Sequence, residues 1–366
     1  MEISIHTQVL GIALVTGAVL GAVSSKTNFC TLGAVSDWVN IGDTARMRSW
    51  LLAMAVAILG VVLLEASGWA AIGVTTFPPY QTPTFAWLRY LLGGLMFGVG
   101  MTLASGCGNK TLVRIGSGNL KSVVVLVVAS VSAYLMLWTD LYGSAFNPWI
   151  AATSIDLGAR GLQSQSVNEL LGLPRQLTGW VLGLAVAGFV FANRDFRQSK
   201  DAILGGLTMG FAVTAGWYVT GGTMGDQWKE FADFAEIRPL RVDTQSLTFV
   251  SPMGDFVHYL TSPRDLSLLN FGIMVMFGVV LGSFAYSAWS RQLRFESFAN
   301  GKDFGLHILG AVLMGIGGVL AMGCTVGQGV TGVSTLAIGS MLAVLAMIAG
   351  AAGTMKYLYW RILRET

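Results

Sequence analysis

Charge is what this chain has least of. Only 11% of its 366 residues are Asp, Glu, Lys or Arg, against about 25% in an average soluble domain. So few charges cannot coat one or two water-facing domains, which excludes a soluble enzyme and a disordered chain. Cysteine is scarce as well. An odd count of three argues against a disulfide scaffold. Cys30, Cys107 and Cys324 form no C-x-x-C pair and no local zinc spacing. The three histidines, His6, His258 and His307, are scattered, so no metal or haem ligand pair and no cofactor is expected. No basic stripe with interleaved aromatics suggests nucleic acid. No basic region precedes the first apolar run in MEISIHTQVL, so that segment reads as a retained membrane helix rather than a cleaved signal.

What fills the chain is apolar sequence: 54% hydrophobic residues and 47 glycines. The expected fold is an all-α polytopic membrane protein forming one transporter domain over residues 1–366. A helix needs about 20 mostly apolar residues to cross a bilayer core of ~30 Å. Nine runs qualify: 8–24, 49–74, 86–104, 121–139, 177–192, 202–220, 267–289, 304–322 and 335–355. The longer connections, 140–176 and 221–266, read as structured extramembrane loops. Fifteen of the 22 Lys and Arg residues fall in the segments after spans 1, 3, 5 and 7 and in the C-terminal tail. By the positive-inside rule these face the cytoplasm, with the N-terminus outside and the C-terminus inside a bacterial inner membrane.

A shift of 217 residues lays LGGLMFGVGMTLASGC (92–107) over LGAVLMGIGGVLAMGC (309–324). Leu92, Gly93, Gly98, Gly100, Leu103, Ala104, Gly106 and Cys107 recur as Leu309, Gly310, Gly315, Gly317, Leu320, Ala321, Gly323 and Cys324. A weaker echo pairs Gly17 and Gly21 with Gly206 and Gly210, spaced for close helix packing. The two units lie five spans apart and therefore run in opposite directions. This is an inverted internal repeat, a recurrent transporter plan, with one copy over about 8–139, the other over about 202–355, and 140–201 as linker.

Each repeat ends in a Gly- and Thr-rich break, GCGNKTLVRIGSGN (106–119) and GCTVGQGVTGVS (323–334). Irregular backbone at membrane depth is tolerated where protein buries it or it lines a wet cavity. Both breaks read as re-entrant, with Ser334 expected to cap a helix beginning at Thr335. SSKTNFCTLGAVSD (24–37) reads as a third break. All three cysteines thus sit on breaks. A free cysteine is ordinarily a small buried hydrophobe, but three on breaks, two at equivalent positions, point to function. Inward helix N-termini and loop N–H groups favour an anion. A thiol is a weak donor and acceptor, suited to a polarizable sulfur-bearing anion more than to an all-oxygen one.

These motifs, NFCTLGAVSD, GCGNKTLVR and GCTVGQGVTG, resemble the YeeE/YedE (TsuA-like) family of sulfur-compound transporters, in order and spacing and over essentially the whole chain. The resemblance implies thiosulfate import, an hourglass-like helical fold with re-entrant short helices, and a relay of the ion along Cys30, Cys107 and Cys324 by S–H···S contacts without covalent chemistry. It also implies a separate cytoplasmic TusA-like (TsuB) sulfurtransferase as partner. Transport of another sulfur or selenium species, or a membrane thiol oxidoreductase, is the alternative. An aquaporin- or formate-type channel lacks support, since FNPW (146–149) is a lone Asn-Pro.

The candidate substrate-binding set is Cys30, Cys107 and Cys324 with Gly106, Gly108, Asn109, Lys110, Gly323, Thr325 and Gln328. Asn28, Asn109, Gln328, Thr31 and Thr325 beside the cysteines either satisfy re-entrant backbone or touch the ligand. Lys110 and Arg114 either attract the anion at the inner exit or face lipid headgroups. Glu65, the one acid inside a confident span, is expected to meet a headgroup or a loop partner. The segment 227–237 reads as a short amphipathic surface helix, and Trp138, Tyr142, Trp289, Tyr357 and Trp360 as interfacial anchors. Importing a dianion against an inside-negative potential costs about 4.6 kcal/mol per 100 mV. No buried chain of Asp, Glu and His stands out to couple protons to it.

Overall fold

The computed structural model describes residues 4–73 and 75–365. Residues 1–3, residue 74 at the expected end of the second span, and Thr366 lie outside the described residues. The chain folds as α1 (Ile5–Thr27), α2 (Thr31–Ile41), α3 (Ala45–Ala66), α4 (Trp87–Leu103), α5 (Gly108–Gly116) and α6 (Leu120–Trp138). Then follow α7 (Asn147–Thr153), α8 (Val167–Leu171), α9 (Arg175–Phe191), α10 (Arg194–Gln198) and α11 (Lys200–Gly221). The remainder is α12 (Thr223–Phe234), α13 (Val250–Thr261), α14 (Phe271–Trp289), α15 (Gly301–Leu320) and α16 (Ile338–Glu365). A two-residue ribbon, Thr84–Phe85 against Ile155–Asp156, is antiparallel.

Among the described residues eight spans are long and apolar enough to cross a membrane, so the protein is an all-α polytopic membrane protein. The ninth expected run falls on α9, whose 17 residues reach about 26 Å at 1.5 Å per residue. Helix starts follow local chemistry. Asn119, Asn193, Asn270 and Asn300 each precede a helix and accept a hydrogen bond from the N–H three residues on, the usual N-cap geometry.

Several boundaries differ from expectation. The second span's helix stops at Ala66, because Ser67-Gly68 ends it with a glycine at φ 71°, the left-handed stop that glycine favours. Ser334 does not cap the last helix. It closes the preceding re-entrant turn, donating to the Thr331 carbonyl, and Leu336 at φ 63° reverses the chain before α16 begins at Ile338. The surface helix expected at 227–237 is α12, which starts four residues earlier. It buries Trp228, whose indole donates to His6 Nδ1 at 3.0 Å.

The long helices pack reciprocally. α1 lies on α14 and α11 lies on α3; α4 lies on α16 and α15 lies on α6; α4 and α15 cross each other. Glycine makes this possible. A Cβ on Gly17 or Gly21 would stand 2.3 or 2.1 Å from the carbonyl oxygens of Val275 and Val279, and one on Gly206 would stand 2.5 Å from that of Ser49. At the central crossing Gly93 meets Gly317 and Gly100 meets Gly310. Exchanging each residue for its counterpart 217 positions away turns one contact into the other. α4 and α15 also end at equivalent residues, and the left-handed Ser105 and Met322, both at φ 59°, are 217 apart.

Polar side chains tie the helix ends. Glu65 pairs with Arg175 at 2.8 Å, which is the loop partner expected for it. The fully buried Asp255 accepts from Arg241 at 3.2 Å, Trp138 Nε1 at 3.1 Å and Asn270 Nδ2 at 2.9 Å, joining α6, α13 and α14. Leucine at Gly282, where a Cβ would stand 1.8 Å from the Ala18 carbonyl oxygen, is expected to destabilise the fold by at least about 3 kcal/mol. Gly188→Ala, at a position with nothing within 4 Å, should leave thermal stability in detergent unchanged or slightly raised.

Candidate functional site

The three cysteines share one local geometry. Each stands at the start of a helical turn in the protein interior. Its carbonyl accepts from the N–H four residues on: Ala34 for Cys30, Thr111 for Cys107 and Gln328 for Cys324. Two of the sulfurs also accept from the N–H three residues on: Gly33 N–H meets Cys30 Sγ at 3.4 Å and Gly327 N–H meets Cys324 Sγ at 3.4 Å, while Cys107 makes no such cap bond. At Cys30 and Cys324 sulfur thus occupies the position that an oxygen normally takes at an N-cap. As a weak acceptor it leaves the positive end of each turn only partly neutralised.

None of these turns crosses the membrane. α5 has nine residues and α2 eleven, about 14 and 17 Å of helix, so both begin well inside the protein. The turn after Cys324 is a π-helix over Gly327–Gly332, all of it buried. Such wide turns recur at functional sites. Gly106 and Gly323 close the preceding helices in matching fashion, their N–H groups reaching back to Met101 and Gly318. Gly323 at φ 159° lies at the edge of the region that side chains avoid. Gly108 lies beside the next cysteine turn: a Cβ there would stand 4.0 Å from that of Cys324, an ordinary contact.

The breaks bring the sulfurs together. Cys30 interacts electrostatically with Cys107, Cys107 with Thr325 and Cys324, and Cys324 with Tyr80, so the three cysteines lie in one interior cluster. Cys107 and Cys324 are 1% and 0% exposed, Cys30 8%. Around them stand buried polar groups with no nitrogen or oxygen partner: Thr31 Oγ1, both amide atoms of Asn109, Thr325 Oγ1 and Gln328 Oε1. An unpaired buried polar group costs about 1–3 kcal/mol, so a cluster of them marks a place built for a polar occupant. Gln328 also satisfies backbone, its amide nitrogen donating to the Ala321 carbonyl.

Lys110 points into a cavity of 480 Å³ that it shares with Cys30, Asn28, Arg46 and Arg114. Its ammonium donates to Asn28 Oδ1 at 3.1 Å, and Arg114 donates to the Ser105 carbonyl at 2.6 Å. Both cations therefore line this cavity. Arg46 is paired with Asp37. All ten residues expected from sequence thus gather at one place. The structure adds Trp50, Tyr80 and Thr248, each with an unpartnered polar atom. Trp50 packs on Gly329 and Thr248 on Gly327. They come from a helix start and two loops, and nothing in their local sequence marks them.

Comparison with known proteins agrees with this geometry. The chain matches the model of a family described as sulphur transport over residues 26–353. The thiosulfate transporter TsuA of Escherichia coli (strain K12) is 25% identical over 92% of this chain and 91% of its own length. The thiosulfate transporter TsuA of Spirochaeta thermophila is 22% identical over 92% and 95%. The probable transporter YedE of Escherichia coli is 25% identical over 38% of this chain and a third of its own. With re-entrant cysteine turns inside a polytopic helical body and a family match along nearly its whole length, the chain belongs to the sulphur-transport family and is a membrane transporter of sulfur compounds.

Proposed function

We propose that this protein imports thiosulfate across a bacterial inner membrane, passing it along Cys30, Cys107 and Cys324 without making or breaking a covalent bond. The observation that carries this reading is the cluster of three cysteine turns, two of them sulfur-capped, beside the unpartnered Asn109, Thr31, Thr325 and Gln328. Thiosulfate has three oxygens and one terminal sulfur. Backbone N–H groups, amides and hydroxyls suit the oxygens, and cysteine sulfur suits the polarizable terminal sulfur. Each contact is weak, which meets the requirement that a permeating ion bind yet leave. The curated relatives named as thiosulfate transporters support the substrate. No observation supports the TusA-like carrier, and the proposal does not include it.

The cation distribution supports an N-terminus outside and a C-terminus in the cytoplasm, which makes the Lys110 cavity the inner mouth. The repeats are assigned to about 8–139 and 202–355, with the 140–201 segment as linker; α9 in that linker packs on α3. The Cys30–Cys107 interaction is the one observation that favours the thiol-oxidoreductase reading, so the test separates the two.

In proteoliposomes, Cys107→Ala and Cys324→Ala should each lower thiosulfate uptake at least about tenfold, about 1.4 kcal/mol in the limiting step. Cys107→Ser, which keeps a capping group but removes sulfur, should also be impaired. Undiminished uptake in the alanine variants, or full activity with serine, would exclude the relay. An oxidant-dependent gel shift that tracks activity would favour redox chemistry instead. For orientation, a C-terminal green fluorescent protein fusion should fluoresce and a C-terminal alkaline phosphatase fusion should be inactive; the reverse pattern inverts the assignment.

A further inference from the structure

The mouth opposite the Lys110 cavity has a cation of its own. A second cavity, of 360 Å³, lies between α4, α7 and the segment 79–86, and Arg89, Thr82, Tyr142, Asn147, Ser154 and Met322 line it. Arg89 is the one charged group among the described residues that line it. Its guanidinium donates to the carbonyls of Leu320 at 2.7 Å and Val319 at 3.1 Å and lies 5.1 Å from the Tyr142 ring centre. These carbonyls form the negative end of α15. Arg89 neutralises that end at the place where an approaching anion would otherwise be repelled, and a guanidinium has further donors to offer.

The two mouths match in design though not in sequence position. At one, Arg114 holds the carbonyl of the left-handed Ser105 beside the Cys107 turn. At the other, Arg89 holds the end of α15 beside the left-handed Met322, which immediately precedes Gly323-Cys324. The residue 217 positions after Arg89 is Leu306, and the one 217 after Arg114 is Thr331, so neither arginine arises from the repeat itself. Met322 is nearly buried at 8% exposure, lines this cavity and lies two residues before Cys324.

We propose that this cavity is a capture site for small divalent oxyanions, held at Arg89 before they pass Met322 to Cys324. This rests on the transport reading above and divides the selection in two. Arg89 selects charge and oxygen, as guanidinium groups do, and the thiols behind it select sulfur. Sulfate therefore binds at Arg89 and is not carried.

Four proteins test this: wild type, Arg89→Gln, Asn147→Asp and Cys324→Ala. Asn147→Asp puts a carboxylate in the cavity while leaving the Arg89 contacts to α15 in place, so it controls for misfolding of Arg89→Gln. By calorimetry on purified protein, sulfate should bind wild type and Cys324→Ala but lose about tenfold or more in affinity in Arg89→Gln and Asn147→Asp. In vesicles of both orientations, these two variants should raise KM for thiosulfate about tenfold from the Met322 face alone. Sulfate should compete from that face alone. Sulfate binding unchanged in Asn147→Asp, or equal KM shifts from both faces, would overturn the capture site. Loss of uptake in wild type with sulfate binding as described would overturn the thiosulfate reading and leave the anion site standing.

Discussion

A helix that begins inside a membrane protein presents N–H groups that neither its own turn nor water can satisfy. Among the described residues three short turns begin in this way at a cysteine, and at two of them, Cys30 and Cys324, the sulfur accepts from the N–H three residues on. An oxygen cap like those of Asn119 and Asn270 accepts one of these N–H groups strongly. Sulfur accepts it weakly. Under the proposed function, the weak cap leaves buried backbone of this kind both folded and open to an anion.

Holding irregular backbone at that depth requires a rigid surround, and the glycine crossings provide it. Gly93, Gly100, Gly310 and Gly317 bring α4 and α15 into backbone contact, so both helices end at the same level relative to their breaks. The crossings are reciprocal, and the two breaks are presented from opposite directions to one cluster of thiols. The third turn, at Cys30, comes from the end of α1, whose Gly17 and Gly21 lock it to α14. Lys110 and Arg114 line the cavity beside Cys30, and Arg89 lines the one beside Met322.

Much of this was legible in the sequence because it rests on composition and spacing. The nine apolar runs, the 217-residue repeat and the three cysteine breaks are properties of contiguous segments, and each falls on the corresponding element. The pairing of Glu65 was legible only as a type of partner; Arg175 lies 110 residues away. Trp50, Tyr80, Thr248 and Arg89 were not legible as site residues, because long-range packing alone brings them to the breaks. The start of α16 was misjudged for a related reason. Thr335 and Leu336 belong to turns closed on Gly332 and Val333, and the left-handed Leu336 delays the helix by three residues that by composition read as helix. Glycine spacing gave the close packing but not which helices meet.

If substrate sulfur passes cysteine sulfur without bonding to it, the terminal atom of a bound substrate lies at contact distance from a thiol, and locating that atom decides the matter. Selenosulfate, in which selenium replaces the terminal sulfur of thiosulfate, permits this by anomalous diffraction at the selenium edge. The account predicts a selenium peak at non-bonded contact distance from Cys107 or Cys324 Sγ, with the oxygens turned toward backbone N–H groups and Asn109. Selenium at covalent distance from a cysteine, or anomalous peaks confined to positions away from all three thiols, would contradict it.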